Sequence, residues 1–112
     1  SWLAVSLAKA MVRYSVERDA ARVSLHIVGH ASECGATRGN NLVCAAVSTV
    51  ADMVCTGCLH YDPDTEFKEA DGELSVSCRT MPETVGIMTA AELELSRIKE
   101  HYPACFEKGA NL

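Results

Sequence analysis

Aromatic residues are scarce in this chain: one Trp, three Tyr and two Phe among 112 residues. Its core must therefore be assembled from aliphatic side chains and cysteine rather than from stacked rings. Basic residues are also few, with ten Lys and Arg against fifteen Asp and Glu, a net charge of −5. That balance argues against direct nucleic-acid binding, because affinity for a phosphate backbone comes from an excess of cations. It is compatible with a basic polypeptide as partner, although mild acidity also simply keeps a protein soluble. No unbroken apolar run approaches the ~20 residues that would cross a bilayer, so no membrane partner is expected. Repeats and low-complexity tracts are missing too. The length suits one domain and leaves no room for two.

Residues 1–10, SWLAVSLAKA, are apolar and end in Ala8-Lys9-Ala10, which imitates a signal-peptidase site. They lack the basic start of a signal peptide, and Met11 opens a strand pattern. Residues 1–10 are thus expected to be an N-terminal extension or expression remnant, and residues 11–112 a single domain. Cysteine is plentiful, at positions 34, 44, 55, 58, 78 and 105. An even count in a short chain suggests a disulfide framework if the protein is secreted. Here Cys78 sits on the core parity of a strand, and Cys44 and Cys55 share one helical pattern. With no credible export signal, the expectation is free thiols in a reducing cytoplasm.

Val12, Tyr14 and Val16 alternate with polar residues, as a half-buried strand requires. Asp19-Ala20-Ala21 makes a turn, and Val23, Leu25 and Ile27 repeat the alternation up to Gly29-His30. From Ala31 to Asn40 the pattern vanishes in a small, polar segment holding Gly35 and Gly39, read as a mobile loop. A structureless stretch of about ten residues in a compact domain suggests function. Helical periodicity begins at Leu42, with Val43, Val47, Val50 and Val54 as its stripe, widened by Ala46 and Met53. Asn40 or Asn41 suits its cap, and the helix should fade near Gly57. Thr65–Glu69 and Glu73–Arg79 flank Ala70-Asp71-Gly72, a hairpin signal. A second helix follows from Pro82, with Met88, Ala91, Leu95, Ile98 and Tyr102 as its apolar face. Residues 104–112 add a short strand or fray. The order ββαββα implies an α+β fold: a two-layer α/β sandwich, mostly antiparallel sheet, with both helices on one face.

The stretch most suggestive of chemistry runs from Gly29 to Ser48, GHASECGATRGNNLVCAAVS. A histidine ends a strand, a glycine-bearing loop follows, and Cys44 is expected in the first turn of a helix. Unpaired amides at a helix start favour thiolate and can donate to a developing oxyanion. A nearby His30 could take the thiol proton and return it to a leaving amine. Spacing alone leaves the ordinary alternative open, a small buried cysteine and a loop histidine.

Gly29-His30-Ala31 and Gly39-Asn40-Asn41-Leu42-Val43-Cys44-Ala45-Ala46-Val47-Ser48 resemble the two signature blocks of the ribosomal-processing cysteine protease family (Prp). The resemblance extends from Met11 to about Cys105. It implies a bacterial, cytoplasmic homodimer that uses no metal or other cofactor and trims the N-terminal segment of a large-subunit ribosomal protein during ribosome assembly. It makes His30 the base and Cys44 the nucleophile, with Ser48 and Asn41 in supporting positions; the glycine-bearing loop itself, with Gly35 and Gly39, is read as a substrate-gating loop that lets a peptide enter and then covers it. Members of the family usually carry Asp where this chain has Asn41. An amide can still orient an imidazole, though it stabilises imidazolium less, and as a helix cap Asn serves equally well. Cys34, inside an apparently lengthened loop, could pair oxidatively with Cys44, or be incidental.

Two other classes remain in play. A non-catalytic peptide-binding module could keep the fold and groove, with Asn41 as its support. Cys55-Thr56-Gly57-Cys58-Leu59-His60 resembles a redox dithiol or half of a zinc site. However, it falls at a helix end, where the dipole disfavours thiolate, and a fourth zinc ligand is missing. His26 is expected on the sheet face away from the core, His101 on the surface, and Asp62 and Asp64 in a turn around Pro63.

Overall fold

A computed structural model describes residues 11–29, 38–70 and 72–111, with backbone alone at 38–41 and 108–111. Strands β1 (Val12–Arg18) and β2 (Arg22–Val28) form the first hairpin. Its turn is held by the Asp19 carboxylate, which accepts the amides of Ala21 and Arg22 at 2.8 Å each. A long helix, α1 (Arg38–Tyr61), leads to the second hairpin, β3 (Glu66–Ala70) and β4 (Glu73–Arg79). Helix α2 (Pro82–His101), a 3-10 turn at Pro103–Cys105 and β5 (Phe106–Asn111) follow. The strands lie in the order β3-β4-β2-β1-β5, antiparallel except for the β1–β5 pair. This is the expected two-layer arrangement, with β5 as the added edge strand.

Register explains which face is covered. Val23, Leu25 and Ile27 of β2 stand beside Cys78, Val76 and Leu74 of β4, so one apolar row runs across the sheet. Against it pack Val43, Val47, Val50, Val54 and Cys58 of α1 and Thr84, Met88, Ala91 and Leu95 of α2, all buried. The valine stripe read from the sequence is thus the buried stripe. With so few rings, one aromatic contact closes the end of the core. Tyr14 meets Phe106 edge to face at 6.1 Å, and its hydroxyl hydrogen-bonds Ser96 Oγ at 2.7 Å.

Several boundaries differ from expectation. Helix α1 starts at Arg38, four residues before Leu42, so Gly39, Asn40 and Asn41 belong to its first turn and not to a loop or cap. It also runs through Gly57 to Tyr61. Gly57 does not end the helix because it is a packing contact: a Cβ there would lie 2.9 Å from Ile87 Cδ1 on α2. Met53 faces outward instead of widening the core stripe, and Tyr102 lies past the end of α2, 40% exposed. Ala70 pairs with Glu73, so β3 is shifted one residue toward the turn; Gly72 takes φ 74°, open to glycine at no steric cost.

The membrane argument from run length also needs correction. Leu42–Tyr61 is 20 residues long with mean hydropathy 1.8, apolar enough to span a bilayer by composition. Scattered Ser, Thr and Asp residues hide this from a search for unbroken runs. Its valine stripe here packs into the core between sheet and α2, the role of a central helix in a globular fold.

Candidate active site

The C-terminal end of β2, helix α1 and the β3–β4 hairpin enclose a groove of about 310 Å³. Gly29 closes one end. It takes φ 96°, and its amide donates to the Gly72 carbonyl at 2.7 Å, tying the end of β2 to the second hairpin. Cys44 and Ser48 project into the groove from successive turns of α1, Cys44 half-buried and Ser48 exposed. Val12, Ile27 and Leu74 supply an apolar floor. Phe67, on β3, adds a partly exposed ring to the wall.

The helix boundary changes the chemistry assigned to Cys44. Orphan amides belong to the first four residues of a helix, here 38–41, and the dipole's influence fades within the first turn. Cys44 lies in the second turn, where each amide bonds to the carbonyl four residues back. The oxyanion donors and dipole expected from Cys44's own turn are therefore not supplied there. Placing the start at Leu42 rested on apolar periodicity, which the polar first turn Arg38-Gly39-Asn40-Asn41 does not carry.

His30 and Gly35 lie outside the described residues, as does Cys34. Of the supporting positions, Ser48 shares the groove with Cys44; Asn41 is in the helix backbone, and its side chain is outside the described set. Gly39 stands in α1 and not in a gating loop.

The remaining titratable candidates have structural employment. Cys58 is fully buried, and burial first, then the neighbouring Cys78, pushes its thiol up to about 12. Burial, then the carboxylates of Asp52 and Glu69, also pushes the Cys55 thiol up. Both shifts oppose the activated thiolate that a redox dithiol needs. Among the described residues no three His, Cys, Asp or Glu side chains are grouped to hold a metal ion. His26 points away from the helix-covered face, with Nδ1 2.8 Å from Ser75 Oγ. His101 Nδ1 lies 2.9 Å from the Arg97 carbonyl at the end of α2.

Asp62 is more than turn chemistry. It is buried, and its carboxylate accepts the amides of Arg79 at 2.8 Å and Asp64 at 3.0 Å, joining the end of α1 to the end of β4. The Arg79 amide is the main cause holding its carboxyl below the ordinary 3.8.

Sequence reasoning missed the acidic part of the groove. Asp52 of α1 and Glu69 and Glu73 of the hairpin line it as well. A signal was present: Glu69 shares strand parity with Phe67, facing the helix layer, where an apolar residue is the rule.

The described residues define an α+β domain that sets a half-buried cysteine, Cys44, in a groove between α1 and the second hairpin. The fold is shared with the essential ribosomal processing protease Prp from S. aureus, solved in complex with a covalently linked product peptide. That match has TM-score 0.68 and 20% identity, and covers 87% of this chain and 96% of the other. The same protease solved with a substrate peptide matches with TM-score 0.66 and 19% identity, over 87% and 96%. No curated protein matches. The profile of the cysteine protease Prp family matches residues 11–107, and the chain belongs to that family.

Proposed function

We propose that this chain is a cysteine endopeptidase that removes the N-terminal extension of a large-subunit ribosomal protein. His30 takes the proton of Cys44, and the thiolate attacks the scissile carbonyl. The tetrahedral species collapses as His30 protonates the leaving amine, which departs with the downstream product. Water, deprotonated by His30, then hydrolyses the thioester, releasing the upstream acid and restoring the thiol. Amides for the oxyanion come from outside Cys44's turn, whose N–H groups are already bonded within α1. Ser48 lies one turn beyond the sulfur, on the same groove wall.

One observation carries this reading: Gly29, which directly precedes His30 in the sequence, lines the same groove as Cys44. Family membership supports the peptidase chemistry, and the S. aureus protease of similar fold is described with a substrate peptide. The ribosomal substrate, the bacterial cytoplasm as location and the homodimer are part of the same proposal. For the homodimer, support lies on α1. Leu42 and Met53, three turns apart on one face, are 58% and 47% exposed. Between them Thr49 turns its hydroxyl back to the Ala45 carbonyl at 2.9 Å, so that face offers little polarity.

The deciding experiment incubates the protein, and a Cys44→Ala variant, with a peptide spanning the N-terminal junction of the ribosomal protein. Cleavage by the parent alone is expected. Binding without cleavage by the parent would instead establish the peptide-binding module, the reading that Asn41 favours.

A further inference from the structure

Two carboxylates face the groove from opposite walls. Asp52 is the only Asp, Glu, Lys or Arg between Leu42 and Tyr61, and it projects into the groove rather than to open solvent alone. Across from it is Glu69, whose parity on β3 is set by its register partner Leu74 and by Phe67 opposite buried Val76. Both lie near the half-buried Cys55 between them. The ion pairs among the described residues join Arg13 to Glu107, Arg22 to Glu66 and Arg97 to Glu94, leaving Asp52 and Glu69 uncompensated. Two like charges beside an apolar floor repel each other, and an arriving cation relieves that repulsion. Among the described residues no three His, Cys, Asp or Glu side chains are grouped to hold a metal ion, and the same groove holds Cys44, so a cationic peptide side chain is the ligand that fits the site.

Distance along the groove sets which part of a ligand arrives there. Asp52 is eight residues from Cys44, about 12 Å along α1 at 1.5 Å per residue. An extended peptide advances about 3.3 Å per residue, so 12 Å separates the bond at Cys44 from a side chain three to four residues away. We propose that Asp52 and Glu69 form a specificity subsite for a Lys or Arg side chain of an extended peptide, three to four residues from the scissile bond. This deepens the endopeptidase reading and rests on Cys44 marking the cleavage point.

The test uses the full chain and the ribosomal junction peptide, together with copies in which single positions carry Lys or the uncharged isostere norleucine. With the parent, Lys three to four residues from the cleaved bond is expected to raise kcat/KM at least tenfold over norleucine, through KM. The Asp52→Asn/Glu69→Gln double variant should shrink that ratio to within twofold. A control of equal charge change, Glu83→Gln/Glu94→Gln, should keep it. All three share one thermal midpoint within a few degrees, since the substituted side chains are exposed. An unchanged ratio in the double variant, or no Lys preference at that distance, overturns the subsite. If the parent cleaves nothing, the same ratios are read as peptide Kd. Charge discrimination that then depends on Asp52 and Glu69 upholds the subsite while the endopeptidase reading falls; its absence overturns the subsite as well.

Discussion

Among the cysteines whose surroundings are described, Cys44 and Cys55 are the two that are partly exposed. Cys58, Cys78 and Cys105 are buried, and Cys55 is pushed up by burial and two carboxylates. Iodoacetamide at neutral pH, followed by peptide mass spectrometry, should therefore label Cys44 well ahead of Cys55, Cys58, Cys78 and Cys105. His30→Ala should slow that labelling and reduce kcat by a factor of ~10³ or more if the imidazole is the base. Equal labelling of all these thiols would remove the case for an activated Cys44. Asp62 makes a second prediction, with a definite sign. Its folded pKa is lowered, so its stabilisation is fully present above the ordinary 3.8 and is lost as pH falls through the folded value. Urea midpoints measured from pH 7 to pH 2 should show Asp62→Asn less stable than the parent at neutral pH, with the two curves converging in acid.

Helix α1 illustrates how one element serves packing and site together. Its valine stripe enters the core, its Cys44–Ser48–Asp52 edge faces the groove, and Gly57 lets α2 come close. Gly57→Ala should change stability by less than ~1 kcal/mol, since the gain in helix propensity offsets a shift of the mobile Ile87 tip. Gly57→Leu should cost about 1–3 kcal/mol by overpacking, read from chemical denaturation. A Leu variant as stable as the parent would show that α1 and α2 are not held at this distance.

For the assembled domain, stability rests on a single aliphatic layer between sheet and helices. Leu95 is fully buried at its centre, and Leu95→Ala should cost about 2–5 kcal/mol in the same assay. If the domain pairs through the outer face of α1, Met53→Glu should convert a dimer to a monomer in light scattering, at unchanged helicity. A dimer that survives this change uses another surface.

Period and parity were enough to identify the strands around Val12–Val16 and Val23–Ile27, the valine stripe of α1 and the layered order of elements. These are local patterns of apolar spacing, and burial of one face is their direct consequence. Cys44 and Ser48 are four residues apart in α1, so they share a helix face and line one wall of the groove. Sequence reasoning put the start of α1 too late because the first turn is polar, and its end too early because Gly57 reads as a breaker until Ile87 is seen against it. It took Asp62 for a turn residue, since its chief partner, the Arg79 amide, is seventeen residues away. Asp52 and Glu69 were not singled out at all, and it is the packing of the hairpin against α1 that sets them across one groove. Spacing along a chain carries which face a side chain occupies; which element confronts that face is a contact between distant segments, and folding alone creates it.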